Sequence, residues 1–337
     1  MRRACQGMLA RCLPCPGRGL PWGAQPRPRG TSGARPEAAV PQVVAFAGLG
    51  AMGYPMAGHV AKLPVRRCLV WNRTAEKARR HAEEHGSVQV AEALDLGQAE
   101  VLLLCLPTSA EDVEVAEQVA PRMARGSCIV SCTSGEPAAT RRLAMSLRER
   151  FGIHFIDCPV SGGPRGAAAG SLACLLGADD EGAVERVQPV VKAFARQIVR
   201  CGPSGAGHAV KSVNNALNAT HLMLATEGLL ALRKLGVDPA VALEAINGSS
   251  GRSLQTEQRL PQEVLTGRFE YGFKLPLMAK DCRIAEQLLA EGFPGATLLP
   301  AGARLVQQAA AEESEDADYT CVVRMLESQA GVDLRAQ

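Results

Sequence analysis

VVAFAGLGAMG, residues 43–53, is the stretch that decides the fold. An apolar run ends in Gly48-x-Gly50-x-x-Gly53. A helical pattern over residues 54–62 follows, and then a second apolar run, Arg67–Trp71. This order of strand, glycine turn, helix and strand is what a dinucleotide pyrophosphate requires. Gly48 permits the tight turn, Gly50 lets backbone approach the phosphates, and Gly53 lets helix and strand pack closely. The helix N-terminus then offers its unpaired N–H groups to negative charge. Leu49, Ala51 and Met52 share the turn and join the three glycines as candidate cofactor contacts. A lone G-x-G-x-x-G is a weak signal; in this context it is a strong one.

The end of the second strand bears on which nicotinamide cofactor fits. An acid there binds the ribose 2′-hydroxyl of NAD. Here the strand runs into Asn72-Arg73-Thr74, with no acid before Glu76. Arg73 can pair with a 2′-phosphate, and Asn72 and Thr74 can donate to it, which favours NADP over NAD. The alternative is an ordinary loop arginine.

Further strands are expected at 101–106, 128–132, 155–157 and 171–177. Leu106 and Pro107 close the first of these, where the middle of the cofactor should pass. Thr133 and Ser134 close the second, and hydroxyls at the carboxyl ends of such strands adjoin the ligand crevice. Ser161-Gly162-Gly163 follows 155–157 and can present a hydroxyl and successive N–H groups to a carboxylate. A tight inter-strand turn is the other reading.

Residues 202–236 read as a long helix entered through a glycine-rich turn, with Lys211, Asn214 and Asn215 about one turn apart on one face. Val210, Val213, Leu217 and Leu224 recur at helical spacing. Either the three polar groups hold the reactive end of a substrate, or Lys211 is solvated and the asparagines cap turns. No strand is expected beyond residue 202, where helical patterns cover 239–246, 261–265, 277–290 and 300–311. The expected fold is α/β: a Rossmann-type, doubly wound, mostly parallel sheet over residues 41–203, then an all-α domain over 204–332 joined by the long helix.

Residues 1–36 hold seven arginines and no acid; removing those seven from the net charge of +3 leaves −4 on the remainder. The folded part therefore offers no electrostatic case for nucleic acid. Residues 1–40, arginine-rich and acid-free up to Glu37, have the composition of an organellar targeting peptide, mitochondrial matrix before plastid. A disordered cytoplasmic tail or a misassigned start is the alternative. No stretch approaches the roughly 18 apolar residues of a membrane span. Cys68, Cys105, Cys128 and Cys174 sit in apolar runs, as reduced, buried cysteines do. Cys12-x-x-Cys15 lacks a second pair, and no metal site is expected.

Four ordered motifs, GLGAMGYPMA, DCPVSGGPRGAAAGSL, GAGHAVKSVNNA and FKLPLMAKDCRIA, together resemble the β-hydroxyacid dehydrogenases over about residues 43–330. The second motif and Asn247–Arg252 resemble the 3-hydroxyisobutyrate branch; the Asn72-Arg73-Thr74 turn resembles the glyoxylate and succinic semialdehyde reductases. The resemblance implies catalysis by Lys211 with Asn215. It implies a substrate carboxylate on Ser161, Gly162 and Gly163, beside Asn214, and contacts from Phe273 and Lys280 to the cofactor. It implies interconversion of a small 3-hydroxy acid and its semialdehyde, 3-hydroxyisobutyrate first, in a homodimer or homotetramer. Glyoxylate, succinic or tartronate semialdehyde, L-serine, and a non-catalytic dinucleotide-binding scaffold are the alternatives. The family's Ser-Thr after the fourth strand appears here reversed, as Thr133-Ser134.

Overall fold

In the computed structural model, which describes residues 40–335, the apolar runs pair into one sheet. Strands β1 (Val43–Ala47), β2 (Arg67–Trp71), β3 (Val88–Gln89), β4 (Val101–Leu104), β5 (Cys128–Ser131) and β6 (His154–Asp157) run parallel, in the spatial order β3-β2-β1-β4-β5-β6. This is the Rossmann order. Its reversal between β1 and β4 opens a crevice at the carboxyl ends of those two strands. Strands β7 (Val160–Ser161), β8 (Leu172–Gly177) and β9 (Ala195–Gly202) extend the sheet; β8 is antiparallel to β6 and β7 and parallel to β9.

Every residue of β4 is fully buried, as expected of a strand covered on both faces. Alternate side chains feed two cores. Phe46, Val70, Leu103 and Val130 pack on one side with Met56 of α1 (Gly53–Ala61). Ala45, Leu69, Leu102 and Ile129 pack on the other. There they meet Val115 of α3 (Ser109–Val119) and Leu147 of α4 (Pro137–Phe151). Helix α2 (Ala75–His85) joins β2 to β3, α5 (Gly163–Ala168) joins β7 to β8, and α6 (Glu181–Lys192) joins β8 to β9.

From Gly202 onward the described residues form no further strand, only a bridge between Lys274 and Asp318. Helix α7 (Ala206–Lys234) runs 29 residues. It is followed by α8 (Pro239–Asn247), a π-helix (Gln255–Val264), α9 (Leu275–Gly292), α10 (Leu298–Glu312) and α11 (Val322–Ala330). Leu222, Met223 and Leu229 of α7 seed the core of this helical part, with Leu260, Met278 and Tyr319.

Strands β3, β7 and β9 and helices α2, α5, α6 and α11 go beyond the sequence reading, and the segment expected over 261–265 is a π-helix that begins six residues earlier. Gly162 and Gly163 open α5, so their turn leads into a helix and not straight back into a strand. The burial of α7 shows which way the residues at helical spacing face. Val210, Leu217 and Leu224 are 45, 42 and 56% exposed, whereas Lys211, Asn215, Thr220 and Thr226 are buried. The targeting segment and Cys12-x-x-Cys15 lie outside the described residues. Among the described residues no helix is long and apolar enough to cross a membrane.

Asp157, at the end of β6, fixes where α7 starts. Its carboxylate is fully buried and accepts from Gly205 N at 2.7 Å and His208 N at 2.9 Å, two donors that the helix itself leaves unpaired. Burial pushes its pKa up to about 6, against those two bonds. A carboxyl raised in the folded state holds a proton between pH 4 and 6 that the unfolded chain has already lost. Its contribution to stability therefore falls as pH rises through that window, by about 3 kcal/mol for a shift of about two units. Asp157→Asn removes this titration. In urea unfolding, the stability advantage of wild type over the variant is expected to shrink from pH 4 to pH 7. A gap that is constant or widening would overturn the assignment.

Candidate active site

The glycine turn has two closed positions and one open one. A Cβ on Gly48 would lie 2.3 Å from Cys105 O, and one on Gly53 would lie 1.9 Å from Gly48 O, so the fold itself excludes larger residues there. A Cβ on Gly50 would meet nothing within 4 Å. The open space is at the one glycine whose role is to let a ligand approach, so the loop fits a dinucleotide pyrophosphate. Leu49 N donates to Asn72 Oδ1 at 2.8 Å, and Asn72 Nδ2 donates to Thr74 O at 3.1 Å. The Asn72 amide thus ties the turn after β1 to the turn after β2. Arg73 is exposed and makes no ion pair among the described residues.

The turns after β4 and β5 are pinned to each other. Thr133 Oγ1 accepts from Leu106 N at 3.0 Å and donates to Asp112 Oδ1 at 2.8 Å, and Ser131 Oγ donates to Asp112 Oδ2. Burial pushes Asp112 up to about 6, with the two hydroxyls and Lys280 opposing it. Thr133 is therefore occupied within the protein. Ser134, partly exposed and with its hydroxyl unbonded among the described residues, is the member of the pair available to a ligand. Lys280 of α9 reaches both turns, donating to Pro107 O at 3.3 Å and to Ser134 O.

Lys211 sits on the inner face of α7, 8% exposed. Its ammonium makes no hydrogen bond or ion pair among the described residues. Burial lowers its pKa and Lys280 lowers it further, while Asp281 pulls it up. One turn on, Asn215 donates to Asp281 Oδ2 at 2.6 Å and accepts from Asn214 at 3.2 Å. Asp281 also pairs with Lys280 at 3.3 Å and is fully buried. Asn215, Asp281 and Lys280 thus form a bonded chain that links α7 to the turns after β4 and β5. One turn before Lys211, the buried His208 bonds Thr140 Oγ1 through Nδ1 at 2.7 Å, and burial drops its pKa to about 3. Its ring lies within about 3 Å of where a Cβ on Gly135 would stand, so an uncharged imidazole packs under the Thr133–Gly135 turn.

At the other wall, Gly162 (φ +136°) and Gly163 (φ +64°) adopt backbone conformations that favour glycine. Ser161 precedes them, partly exposed. The Tyr271 hydroxyl stands 3.1 Å from where a Cβ on Gly163 would project. Phe273 lies further into the helical part, its ring 6.0 Å from that of Tyr319.

The structure therefore joins Lys211, Asn215, Lys280, Pro107, Thr133 and Ser134 through bonds or shared neighbours. It leaves Arg73 and Thr74 on the surface and Asn214 at the rim. Sequence reasoning missed Asp281, Asp112, His208 and Tyr271. Of these, Asp281 carried a signal, an acid adjacent to Lys280 in AKDC.

A family model described as the NAD binding domain of 6-phosphogluconate dehydrogenase matches residues 43–202. One described as NAD-binding of NADP-dependent 3-hydroxyisobutyrate dehydrogenase matches residues 205–326. The chain is 31% identical to 2-(hydroxymethyl)glutarate dehydrogenase of Eubacterium barkeri, over 86% of this chain and 97% of that protein. It is 32% identical to NAD-dependent L-serine dehydrogenase of Pseudomonas aeruginosa, over 86 and 99%. Among solved structures, Mycobacterium tuberculosis 3-hydroxyisobutyrate dehydrogenase with L-serine superposes with a TM-score of 0.78 at 27% identity, covering 85% of this chain and 99% of that one.

Proposed function

This chain belongs to the β-hydroxyacid dehydrogenase family, and from that premise we propose that it interconverts a small 3-hydroxy acid and its semialdehyde, with 3-hydroxyisobutyrate as the reference substrate and valine breakdown as its setting. Family membership makes it an oxidoreductase that uses a nicotinamide dinucleotide. The observation that carries the catalytic reading is Lys211. A buried ammonium without a hydrogen-bond partner is costly to keep, and a substrate oxygen would complete it.

A bound nicotinamide supplies the hydride acceptor or donor. The chain's own residues then orient the substrate and move the proton. Ser161, Gly162 and Gly163 hold the carboxylate. Lys211 donates a proton to the carbonyl oxygen in reduction and, as free amine, accepts one in oxidation. Its lowered pKa favours the second role, and Asp281, which opposes that lowering, favours the first. Asn215 is held by Asp281 at the distance of one helical turn from Lys211. Lys280, Leu106, Pro107, Ser134 and Phe273 flank the cofactor, and Asn72, Arg73 and Thr74 face its adenosine end.

Arg73, exposed and without an ion pair among the described residues, supports NADP over NAD. In a panel of 3-hydroxyisobutyrate, L-serine, glyoxylate, and succinic and tartronate semialdehydes, each with both cofactors, 3-hydroxyisobutyrate and its semialdehyde are expected to turn over with NADP(H). kcat/KM should be at least tenfold above that with NAD(H). No turnover of any 3-hydroxy acid would overturn the reaction assigned, and a tenfold preference for NADH would overturn the role of Arg73. The relative named for 2-(hydroxymethyl)glutarate favours a second member of the class, which shares the hydroxymethyl and carboxylate groups of 3-hydroxyisobutyrate and differs only in the substituent between them. Exposed Val210, Leu217 and Leu224 on one face of α7 support a homodimer or homotetramer. The arginine-rich amino terminus supports import into the mitochondrial matrix.

A further inference from the structure

Arg259 has no part in the site as described so far, yet its surroundings lead to it. It lies on the π-helix, a rare form that is frequent at functional sites. Gln255, one turn earlier, donates to Asn218 of α7, which ties the π-helix to the helix that carries Lys211. The Arg259 guanidinium carbon lies 3.7 Å from the centre of the Tyr271 ring, and the Tyr271 hydroxyl reaches Gly163 of the carboxylate nest. Beside it, the fully buried Tyr319 turns its hydroxyl toward the Arg259 side chain.

A guanidinium that is merely structural ends on a carboxylate or on carbonyls. Arg259 does neither among the described residues: its Nε is buried and unbonded, its side chain lies against the Tyr319 hydroxyl, and it makes a 3.3 Å contact with its neighbour Gln258. The flat fork is held in place by stacking on Tyr271, which leaves its edge for an anion. We propose that Arg259 binds a second anionic group of the substrate, borne on the carbon between the hydroxymethyl and carboxylate groups, so that the preferred substrates are 3-hydroxy acids with a distal carboxylate. The proposal rests on the reaction assigned above and names its substrate class. The carboxylate common to the class occupies Ser161–Gly163, and a side arm of two carbons crosses the Tyr271 ring toward Arg259. A neutral methyl, as in 3-hydroxyisobutyrate, leaves the guanidinium unpaired.

The test compares 2-(hydroxymethyl)glutarate, its distal amide, the analogue with a distal sulfonate, and 3-hydroxyisobutyrate, on wild type, Arg259→Gln and Arg259→Lys. Wild type is expected to favour the diacid over the amide by at least tenfold in kcat/KM. Activity on the sulfonate would show a site for any distal anion, and rejection of it a site for carboxylate. Arg259→Gln should lose roughly 10- to 100-fold on the diacid, mostly in KM, as loss of a charge-assisted bond does, and under threefold on 3-hydroxyisobutyrate. Arg259→Lys should recover part of the loss. Equal losses on both acids, or no wild-type preference for the charged arm, would overturn the proposal. If wild type turns over no hydroxy acid, the assigned reaction fails. Calorimetric binding of the diacid to wild type and Arg259→Gln then decides the site: weaker binding by the variant supports it, and equal or no binding overturns it.

Discussion

Replacing Lys211 by alanine is expected to lower kcat by roughly 10²–10⁴, the share that a positioned acid or base contributes, with cofactor affinity little changed. The separation of the two effects follows from the geometry. Lys211 makes no hydrogen bond or ion pair, among the described residues, with those that hold the glycine turn or the turns after β4 and β5; Asn215, Asp281 and Lys280 make that connection. Alanine is a good helix former, so α7 should persist. Cofactor binding, followed by quenching of protein fluorescence, should stay within about threefold of wild type. The removal of a buried ammonium should also leave thermal stability equal or higher, since the charge is desolvated without a hydrogen bond or ion pair among the described residues. Near-wild-type turnover would remove Lys211 from the mechanism. A variant that loses cofactor binding together with turnover would make Lys211 part of the architecture.

Much of this arrangement was legible in the sequence. The glycine turn and the strands around it were readable because strands buried on both faces must be continuous apolar runs, and β1, β4 and β5 are. Strand β9 was not, because ARQIVRCG has charged or polar side chains at three of its eight positions and buries none of them fully, as an edge strand does. The π-helix has no sequence period of its own to read. On α7 the usual rule holds only in part: Leu222, Met223 and Leu229 face in, but so do the polar Lys211, Asn215, Thr220 and Thr226, while Val210, Leu217 and Leu224 face out. A helix whose inner face lines a reactive site must carry polar groups where the amphipathic rule expects leucine. Asp281 and Arg259 escaped for a different reason. Each is an ordinary residue on a helix until folding sets Asp281 against Asn215, 66 residues earlier, and Arg259 over Tyr271.

Two glycines of α7 should respond in opposite directions to the same substitution. At Gly207 a Cβ would stand 2.1 Å from Leu175 O and 2.8 Å from Asp157 Oδ2. The first is strand backbone and the second a carboxylate held by two N–H groups, so neither can yield without moving α7 off β8. Such overpacking costs about 3 kcal/mol, which exceeds the gain of up to about 1 kcal/mol in helix propensity. At Gly228, exposed and mid-helix, a Cβ would meet nothing within 4 Å, and only the propensity gain remains. Gly207→Ala is therefore expected to lower Tm by several degrees and Gly228→Ala to raise it by a degree or two, in calorimetry at one scan rate. The functional consequence separates them further. Gly207 lies one turn before Lys211, and a shift of about 1 Å in a group that must meet a reacting atom can cost 100-fold in rate. Gly207→Ala should therefore lose turnover at temperatures where it is still folded, while Gly228→Ala keeps it. Equal stability of the two variants would show that the close approach of α7 to β8 does not set the helix in place, and with it the lysine.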